Sequence, residues 1–376
     1  MRLRITAALV CACLVAALVA AGGGDAKPLP AAPTGFFGIG PQTPIASQDV
    51  EYMRAGGIES IRWPLLWSQV QPTKKGGYDW SSFDQVVEVA SKGGLSVLPV
   101  ITSTPRWVAS RETTMPVNSA AQQVAWQEFL RAAAARYGPG GEFWKEHSTP
   151  EYVEGVRYEA EIPKAVPIRT WQIWNEANYF YFAFPVSPVR YGKLVTISSV
   201  ALKSVQPGAK LLLSGLFGEP SAKGSRGMPA ATFLKRLYAY PGIKSRFDGV
   251  ALHPYAVDSE KLEELVEAFH EVLVENHDRP AFYITEMGWG SQNDFADDAF
   301  EQGPSGQVRE LRASYAYLLE NQRRLNLRGV YWFSWKDLRE SCNFCDSVGF
   351  FPAGTRFKPK PSWRAFIQLT GGSLRP

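Results

Sequence analysis

Cysteine and histidine, which supply the ligands of most zinc sites in proteins, are scarce in this sequence. The chain of 376 residues contains only four of each. Cys11 and Cys13 fall within residues 1–21, which leaves Cys342 and Cys345 in the stretch SCNFCD. A metal site would need two further ligands, and a redox role has less support than a structural bond. We therefore expect Cys342 and Cys345 to form a disulfide in an oxidising compartment, and we expect no metal centre.

A strong charge of one sign is also missing. The formal net charge of +4 falls to +2 when Arg2 and Arg4 are left out, and no long basic run is present. Nucleic acid is therefore excluded as an expected partner. Aromatic residues, in contrast, are abundant at 13%, with 12 tryptophans. Tryptophans usually fill protein cores, but binding sites for sugars also use their flat faces.

The first 21 residues have the pattern of a secretory signal peptide rather than of a folded element. Arg2 and Arg4 precede an apolar run over 5–20, and Val19-Ala20-Ala21 supplies small residues for cleavage. Residues 22–34 are expected to form a flexible lead. An uncleaved anchor is the alternative, although the run is short of the ~20 residues that a spanning helix needs; lipidation of a leader cysteine is another. We expect a secreted, cell-surface or periplasmic protein without a membrane span after cleavage.

The remaining sequence alternates between short apolar runs and amphipathic helical segments. One such helix has capping-box spacing at Ser82 and Gln85, followed by apolar residues at helical spacing, namely Phe83, Val86, Val87 and Ala90. Strands are predicted at 36–40, 58–63, 95–101, 168–174, 210–216, 248–253, 281–286 and 329–335. Eight such units predict an α/β fold, a (β/α)8 TIM barrel over residues 35–376. A doubly wound open sheet is less favoured, because no glycine-rich phosphate loop follows an early strand.

Polar and aromatic residues follow several of these strands at the point where each ends. Arg62 ends the second strand, Asn175-Glu176 the fourth, His253 the sixth and Glu286 the seventh. The carboxyl ends of barrel strands meet at one face, so we expect these side chains to lie together. Two facing carboxylates, one protonated and one ionised, are what a retaining glycosidase needs. A metal-dependent hydrolase is disfavoured because the other histidines fall in loop or helix segments, namely His147, His270 and His277.

The stretches WNEAN (174–178) and YITEMGWG (283–290) resemble clan A of the glycoside hydrolases, with families 39 and 5 nearest. The resemblance runs through essentially the whole chain after the leader. It implies that Glu176 is the general acid/base and Glu286 the nucleophile. It also implies that Asn175 contacts the sugar 2-hydroxyl, that Arg62 steadies the nucleophile, and that a binding surface includes His253, Tyr255 and Trp335. The chain departs from the family at Ala177, where proline is usual.

The expected function is therefore that of an exported retaining glycoside hydrolase acting on a β-linked glycan or glycoside, without a cofactor and as a monomer. Trp67, in the loop after the second strand, is a further candidate sugar contact, with core packing as its alternative. A transglycosylase would use the same two glutamates, and a glycan-binding surface protein that lost catalysis would lack one of them. The sugar and the linkage depend on loop shapes that the sequence does not reveal.

Overall fold

The computed structural model describes residues 29–153, 156–293, 299–338, 344–354 and 357–376. The predicted signal peptide, residues 22–28 of the lead and Cys342 lie outside these ranges. Cys345 is described and is disulfide-bonded. Within the described ranges, none of the helices combines the length and the apolar character that a membrane span requires.

Eight parallel strands close into a barrel in the order of the sequence, which confirms the predicted (β/α)8 architecture. The strands are β1 (Phe37–Ile39), β2 (Ser60–Leu66), β3 (Ser96–Thr102), β4 (Thr170–Ile173), β5 (Lys210–Phe217), β6 (Gly249–His253), β7 (Ala281–Met287) and β8 (Leu327–Trp332). Strand β8 closes the barrel by pairing with β1, with Phe37 opposite Val330 and Ile39 opposite Trp332. The strands read as near-continuous apolar runs because both of their faces are buried; β6 is buried at every position.

Helices surround the barrel and cover the outer faces of the strands. They are α1 (Ser47–Ala55), α2 (Trp67–Val70), α3 (Ser81–Lys92), α4 (Ala120–Tyr137), α5 (Glu142–His147), α6 (Pro188–Val205), α7 (Ala230–Tyr238), α8 (Ser259–Glu275), α9 (Gly303–Leu325) and α10 (Pro361–Thr370). The apolar stripe predicted for α3 is buried at all four positions. Its predicted capping box at Ser82 is wrong, because the helix already begins at Ser81, whose backbone amide and hydroxyl donate to Asp79.

The segment 138–166, which connects α4 to β4, contains secondary structure of its own. Helix α5 lies within it, followed by a two-stranded antiparallel hairpin that pairs Glu151–Val153 with Val156–Tyr158. The short helix is held by burial of Phe143 and Trp144. The indole of Trp144 donates to the carbonyl of Tyr137, at the end of α4, over 2.8 Å.

The two ends of the barrel differ in their chemistry. The amino-terminal end opens into a cavity of about 620 Å³ that includes Tyr283, Tyr331 and Asp248 in its lining. Asp248 is paired there with Lys203 and Lys210 at 3.3 and 3.2 Å. Barrel enzymes place their reacting groups at the carboxyl-terminal end of the strands, and the predicted residues lie at that end.

Candidate active site

The closed barrel brings together side chains that are far apart in the sequence. Arg62 lies on β2, Asn175 and Glu176 follow β4, His253 is the last residue of β6, and Glu286 lies near the end of β7. Arg62 and Glu286 are 224 positions apart and nevertheless form a hydrogen bond. All five residues are buried. The order of strands around the barrel therefore places the polar residues predicted from strand ends in one cluster.

The two glutamates face each other across this cluster. One carboxylate oxygen of Glu176, one of Glu286 and a ring nitrogen of His253 all lie within 4.8 Å of one another. Retaining glycosidases hold their two carboxyl groups about 5 Å apart, whereas inverting enzymes need a wider gap for a water molecule. The separation here is close to the shorter of these two distances.

Glu286 is surrounded by hydrogen-bond donors. Arg62 Nη1 lies 2.5 Å from Glu286 Oε1, and the hydroxyl of Tyr255 donates to Glu286 Oε2 over 2.9 Å. Burial by itself would raise the pKa of Glu286, but the electrostatic interactions with His253 and Arg62, with the hydrogen bonds from Tyr255 and Arg62, outweigh it and lower that pKa. Burial and the charge of Glu286 keep the pKa of Tyr255 well above its usual value, so Tyr255 stays a donor. Glu286 is thus held as a carboxylate.

Glu176 has the opposite environment. Its Oε1 lies 2.8 Å from His253 Nδ1. Burial raises the pKa of Glu176, and the contact with His253 offsets this effect only in part, while the neighbouring charge of Glu286 adds to it. A pair of carboxyl groups whose environments move their pKa values in opposite directions is typical of an acid and a nucleophile that share one site.

Arg62 connects Glu286 to the residues on and after β4. Besides Glu286, its guanidinium donates to Gln172 Oε1 and Asn175 Oδ1, each over 2.7 Å. Gln172 in turn donates to the carbonyl of Leu213 on β5. Sequence reasoning missed Gln172, although a lone polar residue inside the apolar strand TWQI was a signal for a side chain that faces the barrel interior.

His253 is held from its other ring nitrogen. Nε2 lies 2.9 Å from Thr285 Oγ1, on the strand that carries Glu286. The imidazole fits because Gly215 on β5 has no side chain: a Cβ there would come within 1.9 Å of His253 Nε2. Thr285 was not predicted as a site residue, and its position beside Glu286 was the only signal for it.

The backbone around Glu176 departs from strand geometry. Trp174 and Glu176 both have positive φ angles, 71° and 37°. Non-glycine residues rarely adopt this conformation, and where they do, it tends to be at functional sites. This conformation turns the side chain of Trp174 toward α4, where its indole donates to the carbonyl of Phe182 and packs against Trp126. Regular strand alternation would place Trp174 and Glu176 on the same face, and here they are on different faces.

Two of the predicted sugar contacts are wrong. Trp335 is fully buried, packs against Phe351 and Trp363, and donates from its indole to Asp49 Oδ1 over 2.8 Å. It lies away from the mouth because β8 ends at Trp332, three residues earlier than the predicted strand.

Trp67 is also fully buried. It packs against Trp107, Trp126 and Phe129, and its indole donates to Gln71. Its role is therefore the core packing that was the alternative reading, because α2 turns its ring toward α4.

An aromatic residue that was not predicted lies at the mouth instead. Phe333, directly after β8, clusters with Tyr255 and Val348. Tyr255 is the centre of this group, with ring centroids 5.8, 6.1 and 6.2 Å from those of Phe217, Phe300 and Phe333. These three rings surround Tyr255, which donates a hydrogen bond to Glu286, and they supply apolar surface to the site.

Glu176, His253 and Glu286 together could offer three ligand atoms to a metal ion. The guanidinium of Arg62, at 2.5 Å from Glu286, already supplies a positive charge there, and it would repel a divalent cation. The arrangement is therefore better suited to acid/base and nucleophilic chemistry by the carboxylates.

Comparison with known proteins agrees with the fold. No protein-family model matches the sequence, and no curated protein does. Among solved structures, the chain is similar to a family 39 glycoside hydrolase from Bacteroides cellulosilyticus WH2, with a TM-score of 0.63 and 20% identity over 89% of this chain. It spans 63% of that protein's length.

Two further structures are similar over most of this chain. A monomeric β-xylosidase from Caulobacter crescentus CB15 has a TM-score of 0.61 and 17% identity, covering 91% of this chain and 69% of its own. A family 53 catalytic domain from Ignisphaera aggregans has a TM-score of 0.59 and 17% identity, covering 90% and 98%. These three structures of similar fold are glycoside hydrolases.

Proposed function

We propose that this protein is a retaining glycoside hydrolase that cleaves O-glycosidic bonds by double displacement. The observation that carries the proposal is the facing pair of buried carboxylates, within 4.8 Å of each other, in environments that lower the pKa of Glu286 and raise that of Glu176. The barrel fold that the chain shares with glycoside hydrolases of several families supports the same conclusion.

In the first step, a carboxylate oxygen of Glu286 attacks the anomeric carbon. The bond between that carbon and the glycosidic oxygen breaks, and Glu176 gives its proton to the departing oxygen. The products are a glycosyl ester on Glu286 and the free leaving group. Arg62 and Tyr255 hold the attacking carboxylate in place, and they have to release part of their hydrogen bonding as its charge is lost.

In the second step, Glu176 acts as a base. It removes a proton from a water molecule whose oxygen attacks the anomeric carbon, and Glu286 departs as a carboxylate. Asn175, with its side-chain oxygen held by Arg62, is in position to donate from its amide nitrogen to a sugar hydroxyl. His253 keeps Glu176 oriented through both steps.

The proposed substrate class is a β-linked glycan or glycoside. Solved structures of similar fold include proteins described as a β-xylosidase and as an exo-β-1,4-mannosidase. The residues around Glu286 and Glu176 would accommodate either sugar, so the loops around the mouth of the barrel would determine which sugar is bound.

The test is to trap the covalent intermediate. A panel of nitrophenyl β-glycosides first identifies a sugar that is turned over; the matching 2-deoxy-2-fluoro glycosyl fluoride is then added, and the protein is digested for mass spectrometry. We expect one adduct, on the peptide that contains Glu286, and none in the Glu286→Gln variant. An adduct on another residue, or inverted anomeric configuration in the product, would contradict the proposal.

We also propose that the protein is exported and acts as a monomer. The leader pattern over residues 1–21 supports export, as does the disulfide at Cys345, because such bonds persist in oxidising compartments. Amino-terminal sequencing of the protein from its native host should begin at residue 22. Size-exclusion chromatography with light scattering should give the mass of one chain; a dimer would contradict the second expectation.

A further inference from the structure

The loop that follows Glu176 carries four consecutive aromatic residues, Tyr179 to Phe182. Tyr181 is 63% exposed and Phe182 is 39% exposed. In the part of the chain that the structure describes, the other exposed large apolar residues are aliphatic: Leu29, Val124, Val189, Val200, Val205, Val257 and Val274. Adjacent exposed aromatic rings beside a catalytic cleft indicate a binding surface rather than core packing.

These rings are continuous with the catalytic site. The ring of Phe217, on β5, lies 5.8 Å from that of Tyr255, which donates to Glu286. Tyr179 stacks on Phe217 at 5.4 Å, and Tyr181 meets Tyr179 edge-on at 5.0 Å. A line of aromatic rings therefore leads from the nucleophile to the exposed end of the loop. We call Tyr179, Phe180 and Tyr181 the aromatic ledge.

The ledge is held in place by contacts within the chain. Asn178 donates to the carbonyls of Phe217 and Met228 and accepts from the amide of Phe217. Phe180 stacks on Tyr181 at 4.2 Å, and the guanidinium of Arg226 lies over the ring of Phe180 at 3.9 Å. A surface that is already ordered loses little conformational entropy when a ligand binds, which increases its affinity.

The position of the ledge indicates which part of a substrate it meets. Its loop begins at Glu176, and the amide of Tyr179 donates to the carbonyl of Glu176. Glu176 is the residue that gives its proton to the departing oxygen, so the chain directly after it lies on the side of the leaving group. Flat aromatic faces stack on the apolar faces of sugar rings, as they do on other flat apolar groups.

Resting on the proposed function, we propose that the aromatic ledge is a binding subsite for a sugar unit of the leaving group. The protein would then recognise a glycan through units beyond the bond that it cleaves, and the same surface would hold a sugar acceptor for the glycosyl enzyme. Tyr181 is the specificity-determining residue of this subsite, because its ring is the most exposed.

The experiment compares a substrate whose leaving group contains no sugar with substrates whose leaving group is a sugar. The glycosyl fluoride of the preferred sugar has no leaving-group sugar, whereas linear β-1,4-linked xylo-, manno- and gluco-oligosaccharides of two to six units do. Replacing Tyr181→Ala should lower kcat/KM for the oligosaccharide about 3- to 10-fold, mainly through KM, and leave the fluoride unchanged, since an aromatic contact contributes ~0.5–1.5 kcal/mol. Tyr181→Phe should retain the oligosaccharide rate, and Val274→Ala, an exposed apolar site on α8, serves as the control.

A second readout uses the acceptor. When the fluoride is turned over in the presence of an oligosaccharide, part of the glycosyl enzyme should transfer to that acceptor. Tyr181→Ala should lower the transferred fraction and raise the hydrolysed fraction by the same amount, without changing the rate of fluoride release when no acceptor is present. Unchanged kinetics and transfer in Tyr181→Ala would overturn the subsite. An equal loss on both substrates would also overturn it, because the ledge would then contact the sugar on the other side of the bond.

Binding separates this inference from the proposed function. Calorimetry with the same oligosaccharides compares Glu286→Gln with the double variant Glu286→Gln/Tyr181→Ala. Binding that weakens several-fold in the double variant supports the ledge even if the wild-type protein hydrolyses nothing, which would remove the proposed function alone. Equal binding by the two variants, or no binding by either, would remove the ledge whatever the wild-type activity is.

Discussion

Arg62 organises the site at the scale of single residues. Its guanidinium donates to Glu286 on β7, to Gln172 on β4 and to Asn175 directly after β4. The three acceptors are 224, 110 and 113 positions away in sequence. Only a planar group with donors fixed in several directions can make these contacts together, and lysine cannot replace it.

We therefore expect Arg62→Lys to damage catalysis even though the charge is retained. Loss of hydrogen bonds to a charged group should lower kcat/KM about 10- to 100-fold near neutral pH. With less support for its ionised form, the pKa of Glu286 should rise, so the acidic limb of the pH profile of kcat/KM should move to higher pH. Steady-state kinetics from pH 3 to 8 measure both effects.

The matched control is Arg324→Lys, which alters an exposed ion pair with Glu267 far from the site. Surface pairs of this kind contribute little, so its pH profile should coincide with that of the wild type. An unchanged acidic limb in Arg62→Lys would contradict the role that we assign to the guanidinium.

At this scale, the sequence could predict that certain residues lie together where their position at a strand end was enough to show it. Glu176, Glu286 and Arg62 end predicted strands, and strand ends in a barrel meet at one face whatever the details of packing. Gln172 and Thr285 are different, because their roles depend on which neighbours the strands place beside them. These neighbours are known only when the register of the strands is known. In the structure, Gln172 forms hydrogen bonds with both Arg62 and Thr285.

At the scale of elements, the end of β8 decides which aromatic residue lies beside Tyr255. The stretch YWFSW offers three bulky rings after Tyr331, and a strand that continued to Trp335 would have placed Phe333 and Trp335 on one face. The strand ends at Trp332, so alternation stops there. Strand ends are the least reliable part of sequence-based prediction. The predicted strand extends three residues beyond the observed one, so Trp335, which was expected at the binding surface, lies in the core.

We expect two substitutions in this stretch to separate stability from activity. Trp335→Phe removes the hydrogen bond to buried Asp49, which keeps its contacts with Lys336 and the amide of Ala46. The free energy of unfolding should fall by about 1–3 kcal/mol, with kcat/KM changed less than about twofold. Phe333→Leu preserves apolar volume but removes the flat ring beside Tyr255, and should raise KM about 3- to 10-fold.

Thermal unfolding and steady-state kinetics on the same preparations give the comparison. If Trp335→Phe raised KM at unchanged stability, the indole would have to contact the substrate, and the burial of Trp335 would be the wrong guide to its role.

At the scale of the whole molecule, the number and order of the strands could be predicted because eight apolar runs of similar length alternate with amphipathic helices. The structure of the segments that connect the strands and helices could not be predicted in the same way. The segment 138–166 folds into α5 and a hairpin that no periodic pattern indicated, because each element is only three to six residues long. The aromatic ledge was missed for a related reason: the exposure of Tyr181 and its alignment with Phe217 depend on how the loops after β4 and β5 are joined by Asn178.

Burial of Glu176 also affects the stability of the whole fold. Since the pKa of Glu176 is raised in the folded protein, its favourable contribution to folding is present below the unfolded pKa of about 4.3 and is lost as pH rises through the folded pKa. The Glu176→Gln variant cannot ionise and keeps an acceptor for His253. It should therefore unfold at a higher temperature than the wild type at pH 8, with the difference shrinking toward zero at pH 4.

Glu286 should behave in the opposite way, because its folded pKa is lowered: its stabilising contribution is present above the unfolded pKa and is lost as pH falls through the folded value. Thermal unfolding of Glu176→Gln, Glu286→Gln and the exposed control Glu271→Gln between pH 3 and 8 distinguishes the two. Stabilisation by Glu176→Gln that did not depend on pH would mean that Glu176 is not held as an acid, since only a carboxyl group that titrates at different pH in the folded and unfolded chains can link proton binding to folding.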